Sequence, residues 1–249
     1  TALPRANLRS LMAASSSVLH YRDVACECGK DRMATKRACN PRERRVDGAV
    51  HVAGIAFVLV AVPVLMLVAV RTHSVSVLAA TAPYAIGLAA MIFASAAYNL
   101  ALPPPATSRL RYETLRRFDQ GMIFVKIAAT YTPFASLSLA KGSGPVLLTA
   151  VWTVAAIGAA VKLAAPRRFE LVSVLLYLAL GWSFLWVARE ASAAIRPPSL
   201  ALLGIGGVLY SLGVVFHLWD RLPYQNAIWH LHVLAATICM YAAVLVEIA

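Results

Sequence analysis

The sequence predicts an all-α fold, a bundle of seven transmembrane helices, and three observations lead there. Apolar residues fill 60% of the 249 positions and charged residues only 14%, and the mean hydropathy is +0.71, unlike an ordinary soluble domain. The apolar positions gather into seven successive stretches, each near the roughly twenty residues a helix needs to cross hydrocarbon. Lys and Arg concentrate in alternate connections, as the positive-inside rule demands. The formal charge of +12 is thereby explained without nucleic acid, which is not expected as a partner.

Residues 1–46 carry ten Lys or Arg and no sustained apolar period. They read as a basic, disordered cytoplasmic tail, although Arg-rich and Ser-rich targeting leaders share that composition. Cys26, Cys28 and Cys39 lie here, with His20 nearby, but the spacing matches no common zinc finger, so reduced thiols are expected. Cys239, within the last span, reads as a small buried apolar residue.

The membrane domain covers 47–249, with spans at 48–70, 78–101, 118–140, 144–164, 169–189, 199–219 and 225–248. Lys141-Gly142-Ser143-Gly144 separates the third from the fourth, and Arg196-Pro197-Pro198 the fifth from the sixth. Connections this short make sequential helices antiparallel. With a cytoplasmic N-terminus, eighteen of the 23 Lys and Arg fall on the cytoplasmic side. Arg71, Lys141, Arg189 and Arg196 fall opposite, and Lys126 lies within the third span. The expected orientation is therefore N-terminus in, C-terminus out. Gly204, Gly206 and Gly207 in the sixth span read as a close packing surface.

Polar residues recur at one depth. Ser95 and Asn99 share a helix face near the end of the second span, and Asp119 opens the third. Asn226 and His230, one turn apart, open the seventh, while Asp47 and His51 open the first. Polar side chains at such depth are costly and face partners inside a bundle. Asp119 and His230 are expected to share an interior site, Asp47 to sit at headgroup level, and His51 to do either. Ser95 also has a local option, a hydrogen bond to its own backbone one turn back.

These residues carry a family likeness. The chain resembles the hemolysin III and progestin/adipoQ receptor family of seven-helix membrane proteins, closest to the hemolysin III branch. The matching stretches are His51-Val52-Ala53-Gly54, Ser95-Ala96-Ala97-Tyr98, Leu115-Arg116-Arg117-Phe118-Asp119 and Thr130-Tyr131-Thr132-Pro133-Phe134. Gly206-Gly207-Val208-Leu209-Tyr210 with Gly213 follows, then Leu222-Pro223-Tyr224 and Ala227-Ile228-Trp229-His230. The resemblance implies a buried zinc site near the cytoplasmic side, built from Ser-x-x-x-His, Asp and His-x-x-x-His. Carried across, these positions are Ser95, Asp119 and His230, but the other two histidine positions hold Asn99 and Asn226.

A neutral amide is a weak donor for zinc. The metal is therefore expected to be weakly held or absent, unless His51 compensates; His232 lies about 200° round the helix from His230. Lys126 stands two turns beyond Asp119, and either its ammonium replaces lost metal charge by reaching back to Asp119 and the amides, or it snorkels toward solvent.

Three function classes follow. The first is a non-catalytic or weakly catalytic membrane protein that binds or senses a membrane lipid in its polar site. The second is a zinc-dependent hydrolase of lipid amides, with Asp119 and Ser95 as the catalytic pair. The third, ranked last, is a pore-forming or membrane-disrupting protein. A soluble enzyme is excluded.

Overall fold

The computed structural model describes residues 40–102, 106–164 and 170–249, so the expected tail over 1–39, with its three cysteines, lies outside the described residues. All regular structure among the described residues is helical. The helices are α1 (Pro41–Arg71), α2 (Val75–Leu100), α3 (Arg109–Pro133), α4 (Gly144–Ala164), α5 (Glu170–Trp182), α6 (Ala188–Ala194), α7 (Pro197–His217) and α8 (Gln225–Ile248). A π turn, Phe134–Ser138, extends α3, and a 3-10 turn, Ser183–Val187, joins α5 to α6 in one span.

Local chemistry sets the helix starts. The side chains of Asn40, Ser74 and Ser108 accept from the amides of Arg42, Val77 and Arg111, capping α1, α2 and α3. Pro41 and Pro197 occupy first-turn positions, where a missing N–H costs nothing. The cap at Asn40 draws residues 41–46 into α1, although the sequence places them in the tail. Tyr224, with φ of 57°, turns the chain just ahead of α8.

Among the described residues, six helices, the α5 to α6 segment counted as one, are long and apolar enough to cross a membrane. The seventh, α3, falls short by composition, since its first three turns carry Arg109, Arg111, Glu113, Arg116, Arg117 and Asp119. Its second half is nevertheless buried without a break from Ala128 to Ala135 in the π turn. Basic side chains near this end of the bundle cap helix C-termini. Arg44 donates to the Ala101 carbonyl at 3.0 Å and Arg117 to the Leu163 carbonyl at 3.0 Å, where the helix dipole favours a cation.

The helices form a ring. α1 packs against α2 and α8, α3 against α2 and α4, and α7 against α8, with α5 closing the circuit through α4 and α7. The break between α5 and its 3-10 turn exposes backbone groups that hydrocarbon would not satisfy. The Tyr131 hydroxyl fills it, donating to the Leu180 and Gly181 carbonyls at 2.8 and 2.7 Å and accepting from the Phe184 amide at 3.1 Å.

The expected glycine surface on α7 narrows to Gly206, where a Cβ would lie 2.8 Å from Met240 Cε and 3.3 Å from the Ala236 carbonyl oxygen. Gly204 faces open space, and Gly207 lies against Trp182. A close approach of adjacent spans also occurs at Gly87, where a Cβ would sit 2.6 Å from Ala129 Cβ. Gly87→Val should force α2 from α3 and lower stability by about 1–3 kcal/mol. Thermal unfolding in detergent measures this, with Gly204→Val, which meets nothing within 4 Å, expected to melt as wild type.

Candidate intramembrane histidine and carboxylate site

Asp47 and His51 stand one turn apart on α1, 8% and 6% exposed. Asp47 is buried because α1 begins at Pro41 and its second turn lies against α8. Its carboxylate Oδ1 lies 2.6 Å from His230 Nδ1 and 3.8 Å from His51 Nδ1. Its backbone carbonyl accepts from His51 Nδ1 at 2.9 Å. The two imidazoles meet edge to face, with centroids 4.4 Å apart at 70°.

From α2, the Ser95 hydroxyl lies 3.4 Å from His51 Nε2, and the Asn99 amide donates to it at 3.3 Å. Ser95 is therefore tied across the bundle rather than only to its own helix. Asn99 spends the same amide nitrogen on the Ser95 carbonyl at 2.9 Å. From α3, Asp119 comes close to Ser95, His230 and Asp47. Four helices, α1, α2, α3 and α8, thus place side chains at one level.

Two expected members lie apart. Asn226 is exposed in the first turn of α8. Lys126 is 4% exposed, so it does not snorkel, and its ammonium goes to Tyr210 instead of Asp119. It donates to the Tyr210 hydroxyl at 2.9 Å, which hydrogen-bonds Thr237 at 2.7 Å. Sequence reasoning left Asp47 out of the site, although its four-residue spacing from His51 is the signal that could have found it.

Beside the imidazoles a small open crevice, with a volume of about 30 Å³, runs between α1, α2 and α8. Val50, Gly54, Met91, Ile92, Val233 and Leu234 form its apolar walls, and His51, Ser95 and His230 its polar end. α2 and α8 flank α1 here without packing on each other to any extent.

The family's zinc positions do not fit a metal in this chain. Asn99 is committed to Ser95 and Asn226 points away from the cluster, which leaves His230 and Asp119. A different set does fit: donor atoms of Asp47, His51 and His230 all lie within 4.8 Å of one another. Two imidazoles and a carboxylate are ordinary ligands for a divalent transition ion.

Fold and site together define a class, the polytopic integral membrane proteins with a polar histidine and carboxylate centre inside the bundle. Within that class the chain belongs to the haemolysin-III-related family, which matches residues 40–241. It is 36% identical over 139 residues to the Hemolysin-3 homolog of Bacillus subtilis (strain 168), covering 56% of this chain and 65% of that protein. It is 39% identical over 127 residues to Hemolysin-3 of Bacillus cereus, covering 51% and 58%. To the Monocyte to macrophage differentiation factor of Homo sapiens it is 28% identical over 165 residues, covering 65% and 67%. The chain therefore spans 65% and 58% of the length of the two bacterial relatives. No solved structure matches it. The hemolysin III resemblance read from the short motifs is borne out.

The contact between Asp47 and His230 makes a quantitative expectation. A hydrogen bond to a charged group contributes about 1.5–3 kcal/mol. A double-mutant cycle on Asp47→Ala and His230→Ala should show coupling of about 1–3 kcal/mol in detergent unfolding. The same cycle on Asn99→Ala and Asn226→Ala should be additive, since those side chains share no partner.

Proposed function

We propose that this protein binds a membrane lipid in the crevice between α1, α2 and α8. The apolar walls suit an acyl chain, and His51, Ser95 and His230 offer hydrogen bonds to the polar group. One observation carries the reading: apolar walls and a small set of convergent polar groups line one open crevice. The zinc set of the wider family is degenerate at Asn99 and Asn226, which favours binding or sensing over hydrolysis.

The Lys and Arg bias supports placing the polar end on the cytoplasmic side, with the C-terminus opposite. Arg44, Arg116 and Arg117, close to this end, belong to the expected inner set. The crevice would then take lipid from the inner leaflet.

A second reading, hydrolysis of a lipid amide, is favoured by the grouping of Asp47, His51 and His230 next to Ser95 and Asp119. A divalent ion bound there would supply Lewis acidity. Asp119 would orient or deprotonate the attacking water, and the Ser95 hydroxyl would donate to the substrate carbonyl oxygen.

Gly54 tests the lipid reading, because a Cβ there meets only Ile92 and Leu234 at 3.6–3.8 Å and a longer side chain must enter the crevice. Gly54→Leu should cut co-purified lipid, measured by mass spectrometry per mole of protein, at least fivefold without loss of fold. Wild-type protein carrying no more lipid than an unrelated seven-helix protein in the same detergent sinks the proposal.

A further inference from the structure

We propose that Lys126, with the hydroxyls of Tyr84, Tyr210 and Thr237, forms a binding site for a small monovalent anion of the halide class. The site lies apart from the crevice and does not rest on the lipid reading. Lys126 stands seven residues beyond Asp119 and Thr237 seven beyond His230, so both lie about 10 Å farther along their helices than the histidine cluster.

An ammonium inside a membrane protein needs an opposite charge. Lys126 is 4% exposed, and its one hydrogen bond goes to Tyr210, with no carboxylate among the described residues paired to it. Acids that could have reached the interior are held elsewhere: Asp47 by His230, Glu190 by Ser143 and Glu247 by Ser138. The Tyr210 ring, whose centre lies 5.0 Å from Nζ, adds a quadrupole and not a counter-charge.

Hydrogen-bond donors are also in excess. An ammonium has three N–H groups, and the Tyr210 hydroxyl accepts one at 2.9 Å. Tyr210 and Thr237 share a single bond at 2.7 Å in which either can donate, so one of their two hydroxyl protons is left over. The Tyr84 hydroxyl is fully buried, comes close to Tyr210 and has no hydrogen-bond partner among the described residues. Buried polar groups in folded proteins are nearly always bonded. Spare donors from α2, α3, α7 and α8 gathered round one cation call for an acceptor that carries negative charge.

Packing sets the size of that acceptor. Thr237 is as fully buried as Tyr84, and α2 closes on α3 at this level. A Cβ on Gly87 would lie 3.8 Å from Lys126 Cα and 2.6 Å from Ala129 Cβ. Walls so close disfavour an acyl tail or a phosphate group and suit a single-atom ion, reached by small rotations of the flexible Lys126 stem. One ammonium balances one negative charge, which selects a monovalent ion.

The test is ³⁶Cl⁻ binding and thermal unfolding on the full chain in detergent, in chloride or gluconate at equal ionic strength. Wild type should bind ³⁶Cl⁻ saturably, near one ion per chain, displaced by bromide and not by decanoate, and should melt a few degrees higher in chloride. Lys126→Met should lower binding at least tenfold. Tyr84→Phe removes only a hydroxyl that bonds nothing, so it should fold as wild type, yet bind at least threefold more weakly and lose most of the chloride-dependent rise in melting temperature. Tyr177→Phe is the control, because that hydroxyl already donates to the Gln120 carbonyl, and it should bind as wild type. No saturable ³⁶Cl⁻ with equal melting in both salts overturns the proposal, and so does full binding in Tyr84→Phe or Lys126→Met. Displacement by decanoate but not by bromide overturns it too, since the guest would then be a carboxylate.

Discussion

A carboxylate inside an apolar bundle must be matched, and in this protein the Asp47 carboxylate is matched by His230, while His51 bonds the Asp47 backbone carbonyl. The bond from Asp47 to His230 closes the ring of helices, because it joins the first span to the last across 183 residues of sequence. It also fixes the rotation of α1 and α8, since a helix turned by even one residue would carry its polar group about 100° away. The crevice exists beside this tie because α2 and α8 both lean on α1 and leave space between themselves.

Polar ties of this kind carry unusual weight in a membrane. Lipid tails are as apolar as leucine, so burying one apolar face against another does not choose among helix arrangements as it would in water. Close packing at Gly87, Gly158 and Gly206 supplies part of the choice. Hydrogen bonds across helices supply the rest: Lys126 to Tyr210 and on to Thr237 links α3, α7 and α8, and Tyr241 to the Ala61 carbonyl at 2.9 Å links α8 to α1. The first cluster lies near one end of the bundle and the second lies deeper, and α8 contributes to both. That helix is the one the site and the scaffold share.

Membership of the haemolysin-III-related family sets the background against which the site departs. Replacing an imidazole by an amide exchanges a good soft-metal ligand for a group that prefers ordinary hydrogen bonds, and Asn99 has taken that course with Ser95. Asn226 has left the interior. Without α1, His230 would lose its carboxylate and imidazole neighbours. Asp47 and His51 give it a carboxylate and a ring, and the polar centre shifts toward the crevice.

The sequence by itself determined the number and placement of the spans, because crossing hydrocarbon is a local demand on twenty consecutive residues. Expected and observed bounds agree closely for α4, 144–164 in both, and for α8. The common depth of Ser95, Asp119, His51 and His230 was legible too, since depth follows from position along a helix. Partner choice was not. Whether His230 meets Asp119 or Asp47, and whether Lys126 turns to Asp119 or Tyr210, depends on helix rotation and on which spans are neighbours. Those are properties of the packed ring, and no stretch of the chain encodes them alone.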